Sequence, residues 1–377
     1  MRIELVKRPQ QSMLFSALSP FVALALTIIA GGILFAAIGK NPFEALHSYF
    51  VTPISGLWDP DQIWQLHKLA LKAAPLIMIA VGLAVCYQSN NWNIGAEGQF
   101  TIGAIFGAAI PLYFPDFQTY ATLPLMLIFG AIGGALYAAI PALLKARFNT
   151  NEILTSLMLV YVAQLILDWL VRGPWRDPAA MSFPQAPAFH AWAVVPELFP
   201  MSGRANLGIV FALVAAVAVW FMLARTLKGF EIKVVGQSPR AGRFGGFSAT
   251  RTIVFAFLVS GALAGLAGIT EVSGAIGRLQ PQISPGYGFA AIIVAFLGRL
   301  NPLGIVAAGL VLALSYLGGE AAQIEIGVTD KTVRAFQGML LFFVLACDTL
   351  IHYQVRIVRP KPAQAAEPQT EGAHGHG

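Results

Sequence analysis

Long apolar runs alternate with short polar segments along almost the whole chain. A helix that crosses a membrane needs about 20 mostly apolar residues. The first run is longer than the core of a signal peptide, so we interpret it as a retained span. The eighth is short, which indicates a tilted, broken or re-entrant element. The pattern predicts ten spans, at 13–39, 70–88, 94–114, 121–144, 152–171, 206–224, 252–273, 286–299, 302–318 and 333–352.

The composition, taken with this pattern, indicates the fold class. The chain is 57% hydrophobic and only 11% charged, whereas a soluble domain has about 25% charged residues. The surplus apolar surface must therefore face lipid, and we predict an all-α polytopic membrane protein with about ten transmembrane helices and broken or re-entrant segments. The two cysteines, Cys86 and Cys347, lie inside apolar runs, so we expect no disulfide framework, no metal site and no cofactor.

The distribution of positive charge predicts the orientation. The segment 225–251 holds six basic residues and one acid, Glu231, which is typical of a cytoplasmic loop between membrane spans. With ten spans, both termini are then cytoplasmic. We divide the chain into a cytoplasmic N-terminus at 1–12, a permease-like membrane domain at 13–355, and a disordered cytoplasmic tail at 356–377. No aromatic and basic module accompanies the charge, so nucleic acid is not expected as a partner.

Two segments between spans, 40–69 and 172–205, are rich in proline and aromatic residues. They are predicted to lie outside the membrane. One interpretation is an aromatic belt at the membrane interface, where tryptophan and tyrosine are enriched. The other is a docking surface for an extracytoplasmic partner.

Motifs of catalytic chemistry are missing from the sequence. It contains no phosphate-binding G-x-x-x-x-G-K-[ST], no H-E-x-x-H and no G-x-S-x-G. We therefore predict that the chain is not an enzyme and does not bind ATP phosphates through that motif.

The stretch NNWNIGAEGQ follows the second span and combines polar residues with glycines. A carboxylate facing lipid would be unfavourable, and loose backbone is tolerated at membrane depth only where it lines a cavity or is buried in protein. One interpretation is a broken helix beside a solute path. The alternative is a short cytoplasmic turn with its acid paired to a basic loop residue. The polar residues of the stretch are Asn91, Trp92, Asn93, Glu97 and Gln99.

A second polar cluster, RFNTNEI, precedes the fifth span. We expect Asn149 or Thr150 to cap the helix, with Asn151 and Glu152 in its first turn, where an acid complements the helix dipole. The alternative is that Asn149, Asn151 and Glu152 line the path. Two polar residues further along the span are expected to be satisfied by neighbouring helices: Gln164 and Asp168.

Two further segments carry special patterns. The basic segment 225–251 is interpreted either as a loop that binds anionic lipid or as containing a short helix after Pro239 that docks a cytoplasmic protein. The segment GRLQPQISPGYGF contains Pro281, Pro285, Gly286 and Gly288, which break any helix before Phe289. Paired broken segments in two parts of a chain point to a transport site.

These residues resemble a known family. The stretches NWNIGAEGQFTIGAIFGA, NTNEILTSLMLVY, VGQSPRAGRFGGFS and PGYGFAAIIVAFLGRLNPLGIV are similar to those of the membrane subunits of bacterial ABC importers for simple sugars and nucleosides, the ribose-permease type. The resemblance covers roughly residues 70–350. The form NIGAEGQ looks more like the nucleoside branch than the sugar branch.

The resemblance implies partners and roles. It implies a second permease subunit, often a different chain, a cytoplasmic ABC ATPase, and an extracytoplasmic substrate-binding lipoprotein. The residues from Asn91 to Gln99 named above, with Asn151 and Glu152, would lie near the path. The segment 237–247 would be the helix that couples to the ATPase, and its candidate contact residues are Gln237, Pro239, Arg240, Arg243 and Phe244.

The sequence therefore predicts the permease subunit of an ATP-driven importer for a small polar solute, first a nucleoside and second a simple sugar such as a pentose. Two interpretations from other classes remain. An ion-coupled secondary transporter would use Glu97 and Asp168 as proton sites. A membrane scaffold that transports nothing would need no polar break at 91–98.

Overall fold

The chain folds into a bundle of α-helices. The computed structural model describes residues 2–7, 13–58, 63–181, 183–198 and 205–358, so most of the predicted tail lies outside the described residues. The α-helices are α1 Met13–Ala37, α2 Pro42–Trp58, α3 Ile63–Gln88, α4 Ala96–Tyr113, α5 Thr122–Phe148, α6 Glu152–Arg172, α7 Gly208–Arg225, α8 Leu227–Gln237, α9 Pro239–Phe244, α10 Ala249–Glu271, α11 Tyr287–Leu297, α12 Pro302–Ile326 and α13 Asp330–His352.

Each of the ten predicted spans falls on one of these helices. Within the described residues, six helices are long and apolar enough to cross a membrane, and the helix at Tyr287–Leu297 is apolar but shorter. The all-helical membrane architecture is therefore confirmed, and the short eighth element is an eleven-residue helix. Two short strands, β1 Arg2–Lys7 and β2 Tyr353–Val358, pair antiparallel and bring the two ends of the described chain together.

Helix α3 is the centre of the bundle. In its most apolar stretch 83% of the residues are buried, whereas the share for α6 is 22%. It packs against α7, α10, α11 and α12. A helix that is apolar on all sides is suited to this position, while the mixed exposure of α6 leaves much of its surface outside the bundle.

Small residues allow α4, α5 and α10 to pack with their backbones close together. A Cβ atom added at Gly134 would lie 2.7 Å from the Cα of Gly265, and one added at Gly130 would lie 3.3 Å from the carbonyl oxygen of Gly103. Close approach of glycines is a common means of helix association in membranes. These glycines thus allow α4, α5 and α10 to pack closely, next to the non-helical segment between α3 and α4.

Helix α2 lies in a segment that the sequence analysis predicted as a loop, 40–69. Asn41 caps it, because its Oδ1 accepts a hydrogen bond from Phe43 N at 3.1 Å and its Nδ2 donates to Glu44 at 3.0 Å. Its inner face carries Tyr49, whose ring lies 4.4 Å from that of Phe336. Asparagine followed by proline and an acid is a helix-start signal, so the sequence did contain evidence for α2.

Helix starts elsewhere follow capping chemistry, with one correction. Asn151 caps α6, since its side chain accepts from Ile153 N and Leu154 N. The predicted caps do not act as such: Asn149 ends α5 in the left-handed conformation, and the Thr150 hydroxyl has no hydrogen-bond partner among the described residues. The short helix predicted after Pro239 is confirmed as α9, capped by the Ser238 hydroxyl.

The long connection between α6 and α7 packs on the end of α10. Helix α10 ends in a π-helical turn, Val272–Ile276, followed by Gly277 with φ of 78°. Backbone N–H groups of the connection donate to the segment after α10: Ala186 to Leu279, Phe189 to Gly277 and Val195 to Ser273. The described part of this connection is therefore bound to the bundle along much of its length.

Candidate functional site

The chain between α3 and α4 is not helical. Helix α3 ends at Gln88, Asn90 has a φ of 55°, and α4 begins only after Gly95, its N-cap residue. The broken element predicted from the sequence is therefore present. It is also buried, because a Cβ atom on Gly95 would lie 2.8 Å from Ser156 of α6 and one on Gly98 would lie 3.0 Å from Val160.

Two amide side chains of this segment form a closed pair. Asn93 Nδ2 donates to Gln99 Oε1 and Gln99 Nε2 donates to Asn93 Oδ1, both at 2.9 Å, and Asn93 also donates to the Ser260 hydroxyl at 3.0 Å. Asn91 donates to the Ser89 carbonyl and hydroxyl. These three amides are almost completely buried. They satisfy buried polar backbone and side-chain groups, so they hold the break in shape.

Glu97 instead joins the two broken elements of the chain. It is 3% exposed, and its Oε2 accepts a hydrogen bond of 2.6 Å from Gly288 N in the first turn of α11. The two backbones meet closely, since a Cβ atom on Gly288 would lie 2.6 Å from the Cα of Glu97. An anionic group at a helix N-terminus is favoured by the free N–H groups and the helix dipole.

The segment before α11 is shaped by one serine and one glycine. The Ser284 hydroxyl accepts from Gly286 N at 3.0 Å and from Tyr287 N at 2.9 Å. Gly286 has a φ of 103°, which a residue with a side chain adopts only with strain. The Ser284 hydroxyl is also a hydrogen-bonding neighbour of the Glu97 carboxylate. The Ser284 hydroxyl thereby provides an acceptor for two of the free backbone N–H groups at the N-terminus of α11.

A cleft of about 620 Å³ opens where these groups meet. Its walls come from α4, α6, the loop before α11, α11 itself and α13. It combines a carboxylate, an amide, hydroxyls, a guanidinium and an aromatic ring, which suits a small polar solute. The lining residues are Glu97, Thr101, Gln164, Leu165, Leu167, Asp168, Pro281, Gln282, Ile283, Ser284, Pro285, Gly286, Phe289 and Arg334.

The two charged groups at the rim of the cleft have partners. Asp168 accepts from Arg172 Nε at 2.7 Å, one turn along α6. Arg334 donates to Asp330 at 2.8 Å and to the Pro285 carbonyl at 3.4 Å. Asp168 was expected to be satisfied by a neighbouring helix, but its partner is on its own helix. Both ion pairs are solvent-exposed, so each contributes little to the stability of the fold. Their charged side chains keep the rim of the cleft polar.

The remaining predicted path residues do not line this cleft. Trp92 stacks on Phe296 with ring centroids 5.9 Å apart, and its backbone N–H faces Glu152 Oε1 at 3.4 Å. Glu152 forms an ion pair with Lys145, and Asn151 is the exposed cap of α6. The contact between Trp92 and Glu152 joins the start of α6 to the segment between α3 and α4. Of the seven predicted path residues, the structure brings Glu97 to the cleft.

The predicted coupling residues lie together on and before α9. Arg240, Arg243 and Gln237 are exposed, and Phe244 is 96% exposed. Phe244 directly follows Arg243 in the sequence. Pro239 begins the helix.

Helix α8 is anchored to α10 by Glu231. Its Oε1 accepts from the Thr252 hydroxyl at 2.6 Å, and its Oε2 accepts from Lys228 Nζ at 2.9 Å. Burial raises the pKa of the Glu231 carboxyl, but the hydrogen bonds from Thr252 and Lys228 and the nearby Arg251 outweigh burial, so the net pKa lies below its ordinary value.

Several cleft residues were not predicted as site residues. Thr101, Ser284, Phe289 and Arg334 lie on four different elements, and no spacing in the sequence connects them. A polar hydroxyl among apolar residues of α4 was the available signal for Thr101. Among the described residues, no three histidine, cysteine or acidic side chains are grouped to hold a metal ion.

A helical bundle with membrane-spanning helices, in which two broken elements meet at a polar cleft, has the architecture of a solute permease. The chain belongs to the family described as "Branched-chain amino acid transport system / permease component", whose model matches residues 65–345. It is thus a multi-pass membrane protein of this permease family.

Three relatives match along nearly their whole length. A glucose ABC transporter permease protein of Haloferax volcanii is 32% identical, and the match covers 90% of each chain. A guanosine ABC transporter permease protein of Bacillus subtilis is 29% identical over 91% of this chain and 96% of its own. A nucleoside ABC transporter permease protein of Lactococcus lactis is 28% identical over 91% of this chain and 93% of its own.

Proposed function

We propose that the chain is the permease subunit of an ATP-driven importer and that a small polar solute passes the cleft at Glu97. The cleft carries this proposal, because it joins two broken helices at a buried carboxylate and is lined by hydrogen-bonding groups. The family and the ABC permease relatives support the class. The chain supplies the route and no catalytic group.

A nucleoside is the proposed solute, and a simple sugar is the second candidate. Two relatives are named for guanosine and nucleosides, and one is named for glucose. Within the cleft, Gln164 and Asp168 offer partners for hydroxyl groups, and Phe289 offers a ring face for a nucleobase. The sugar candidate needs the hydroxyl partners but not the ring.

The proposed assembly places ten crossing helices in the bacterial inner membrane, with both termini and the segment 225–251 on the cytoplasmic side. Helix α9 then contacts a cytoplasmic ABC ATPase through Arg240, Arg243 and Phe244. A second permease subunit, which we expect to be a different chain, and an extracytoplasmic binding lipoprotein complete the transporter. ATP binding and hydrolysis move α9, and the bundle alternates between outward-open and inward-open states.

Within the permease, we assign two kinds of role to the predicted path residues. Glu97 faces the solute, whereas Asn91, Asn93 and Gln99 keep the break in its shape. Trp92 and Glu152 tie the break to α11 and to the start of α6, and Asn151 caps α6.

Uptake in cells that express the native transporter tests the proposal. Labelled guanosine, uridine, ribose and glucose are supplied separately to wild-type cells and to cells that lack the ATPase. The proposal predicts uptake of at least one solute and its loss without the ATPase. Uptake that persists without the ATPase identifies an ion-coupled secondary transporter, with Glu97 and Asp168 as its candidate proton sites.

The coupling role of α9 has its own test. Arg240→Glu with Arg243→Glu is expected to release the ATPase from the purified permease and to abolish uptake, because both charges lie exposed on α9. The variant should still fold, since neither side chain packs in the core. Arg147→Glu, at an exposed position of α5, is the control. Unchanged ATPase association in the double variant removes the assignment.

A further inference from the structure

Gln88, the last residue of α3, connects three elements at the α9 end of the bundle. Its Nε2 donates a hydrogen bond of 2.7 Å to the carbonyl of Leu300, in the turn between α11 and α12. Arg299 and Leu300 both have positive φ, 53° and 55°, which non-glycine residues seldom adopt. Such a turn persists only when its surroundings hold it, and the Gln88 amide is one of the groups that do so.

The backbone at Gln88 also packs directly against α8. A Cβ atom added at Gly236 would lie 2.9 Å from Ser89 Cα and 3.0 Å from the Gln88 carbonyl carbon. Helix α8 is joined in turn to α9, because a Cβ atom added at Gly242 would lie 2.9 Å from Val235 Cγ2. Helices α9 and α8 and the end of α3 are therefore in direct contact at these two glycines, and a displacement of α9 can pass along these contacts.

Helix α11 extends from this contact to the cleft. Near its C-terminal end, the Phe296 ring stacks on Tyr87 with centroids 5.1 Å apart and planes at 15°. At its N-terminal end, Gly288 N donates to Glu97. Eleven residues of α-helix span about 16 Å. A helix of about three turns bends little over this distance, so we expect both ends of α11 to move together.

The Gln88 amide is only half bonded. Its Oε1 is buried and has no hydrogen-bond partner among the described residues. Buried polar atoms without partners are rare in folded proteins, and they need an explanation. An amide that is bonded at one end only fixes this arrangement of the turn less firmly than a fully bonded one, which suits a contact that must shift.

We propose that Gln88 is the positioning residue through which movement of α8 and α9 reaches the cleft. The inference rests on the proposed function, since it requires an ATPase that moves α9. The order of events is a push on α9, transfer through α8 to the end of α3, transfer from Gln88 to the Leu300 turn, and a shift of α11 that changes the Gly288–Glu97 contact.

Hydrogen exchange on the permease bound to its native ATPase tests the inference. The complex is measured in nanodiscs, with and without ATP plus vanadate, and needs no solute. Wild type should show nucleotide-dependent changes in exchange at both 239–244 and 286–289. Gln88→Met keeps the length of the side chain and removes the donor. It should keep the change at 239–244 and reduce the change at 286–289 by about fivefold, as expected for one lost hydrogen bond.

Tyr137→Phe is the matched control. It also removes one side-chain donor to a backbone carbonyl on another helix, the 2.7 Å bond to Leu159, but lies away from the route, so both changes should persist. Phe296→Leu loosens the same end of α11 and should reproduce the Gln88→Met result if that variant fails to assemble. An unreduced change at 286–289 in these variants overturns the inference. No nucleotide effect at 239–244 in wild type overturns the ATPase coupling itself.

Discussion

Glu97→Ala is the substitution that examines the cleft most closely. The change removes a buried carboxylate whose Oε2 accepts the hydrogen bond from Gly288 N at 2.6 Å. The backbone N–H of Gly288 is then left without this acceptor in the first turn of α11. Hydrogen bonds to charged groups contribute about 1.5–3 kcal/mol. We therefore expect the free energy of unfolding to fall by about 1.5–3 kcal/mol and uptake to be strongly reduced.

The assay compares denaturant stability in detergent with uptake in cells, and the chain offers a matched control. Glu325 also accepts hydrogen bonds across helices, from the Ser48 hydroxyl at 2.5 Å and from Thr52 at 3.4 Å, but it does not line the cleft. Glu325 is exposed, so Glu325→Ala should lose less stability than Glu97→Ala, and it should keep its uptake. Glu97→Gln keeps an acceptor oxygen and should lose less stability than Glu97→Ala.

The comparison of Glu97→Ala with Glu325→Ala distinguishes a transport role of Glu97 from a purely structural one. If Glu97→Ala transports as well as Glu325→Ala, Glu97 has only a structural role. A loss of uptake in Glu97→Ala that exceeds the loss in Glu325→Ala supports its position on the path.

The remaining predictions concern packing, the amide pair and pH. Gly134→Ala should prevent stable assembly of the bundle, because its Cβ atom would lie 2.7 Å from the Cα of Gly265; normal yield and thermal stability would contradict this. Asn93→Ala and Gln99→Ala should each lose about 1–3 kcal/mol, and the double variant should lose less than the sum, which a double-mutant cycle measures. Glu231 has a lowered pKa, so its contribution to stability is present above pH 4.5 and is lost as pH falls below 4.5 through the lower folded-state pKa. Glu231→Gln should therefore flatten the acid side of the stability profile, and an unchanged profile would argue against the assignment.

Much of the fold could be predicted because a membrane span is a continuous run of apolar residues in the sequence. Every predicted span falls on a helix, since each apolar run must satisfy its own backbone. The break after Gln88 was visible as polar residues and glycines, and the short helix after Pro239 was visible as a capping serine and a proline. Helix α2 was missed, because Pro53 lies inside it and proline is unfavourable in the interior of a helix.

The candidate site was harder to predict because contacts between distant segments decide it. The sequence indicated that 91–99 and 281–289 are both loose, but not that Glu97 and Gly288 meet. It also grouped Asn93 and Gln99 with Glu97, although the pairing of the two amides turns them away from the cleft. Local spacing cannot distinguish an amide that binds solute from one that binds its neighbour.

Cysteine accessibility tests the central claim most directly. In a background with Cys86 and Cys347 replaced by alanine, Ser284→Cys on the cleft wall and Asn93→Cys in the closed amide pair are exposed to a membrane-impermeant methanethiosulfonate reagent in membranes open on both sides. The account predicts that Ser284→Cys reacts, that transported solute slows the reaction, and that Asn93→Cys stays unmodified. A folded Ser284→Cys variant that does not react from either side would contradict it.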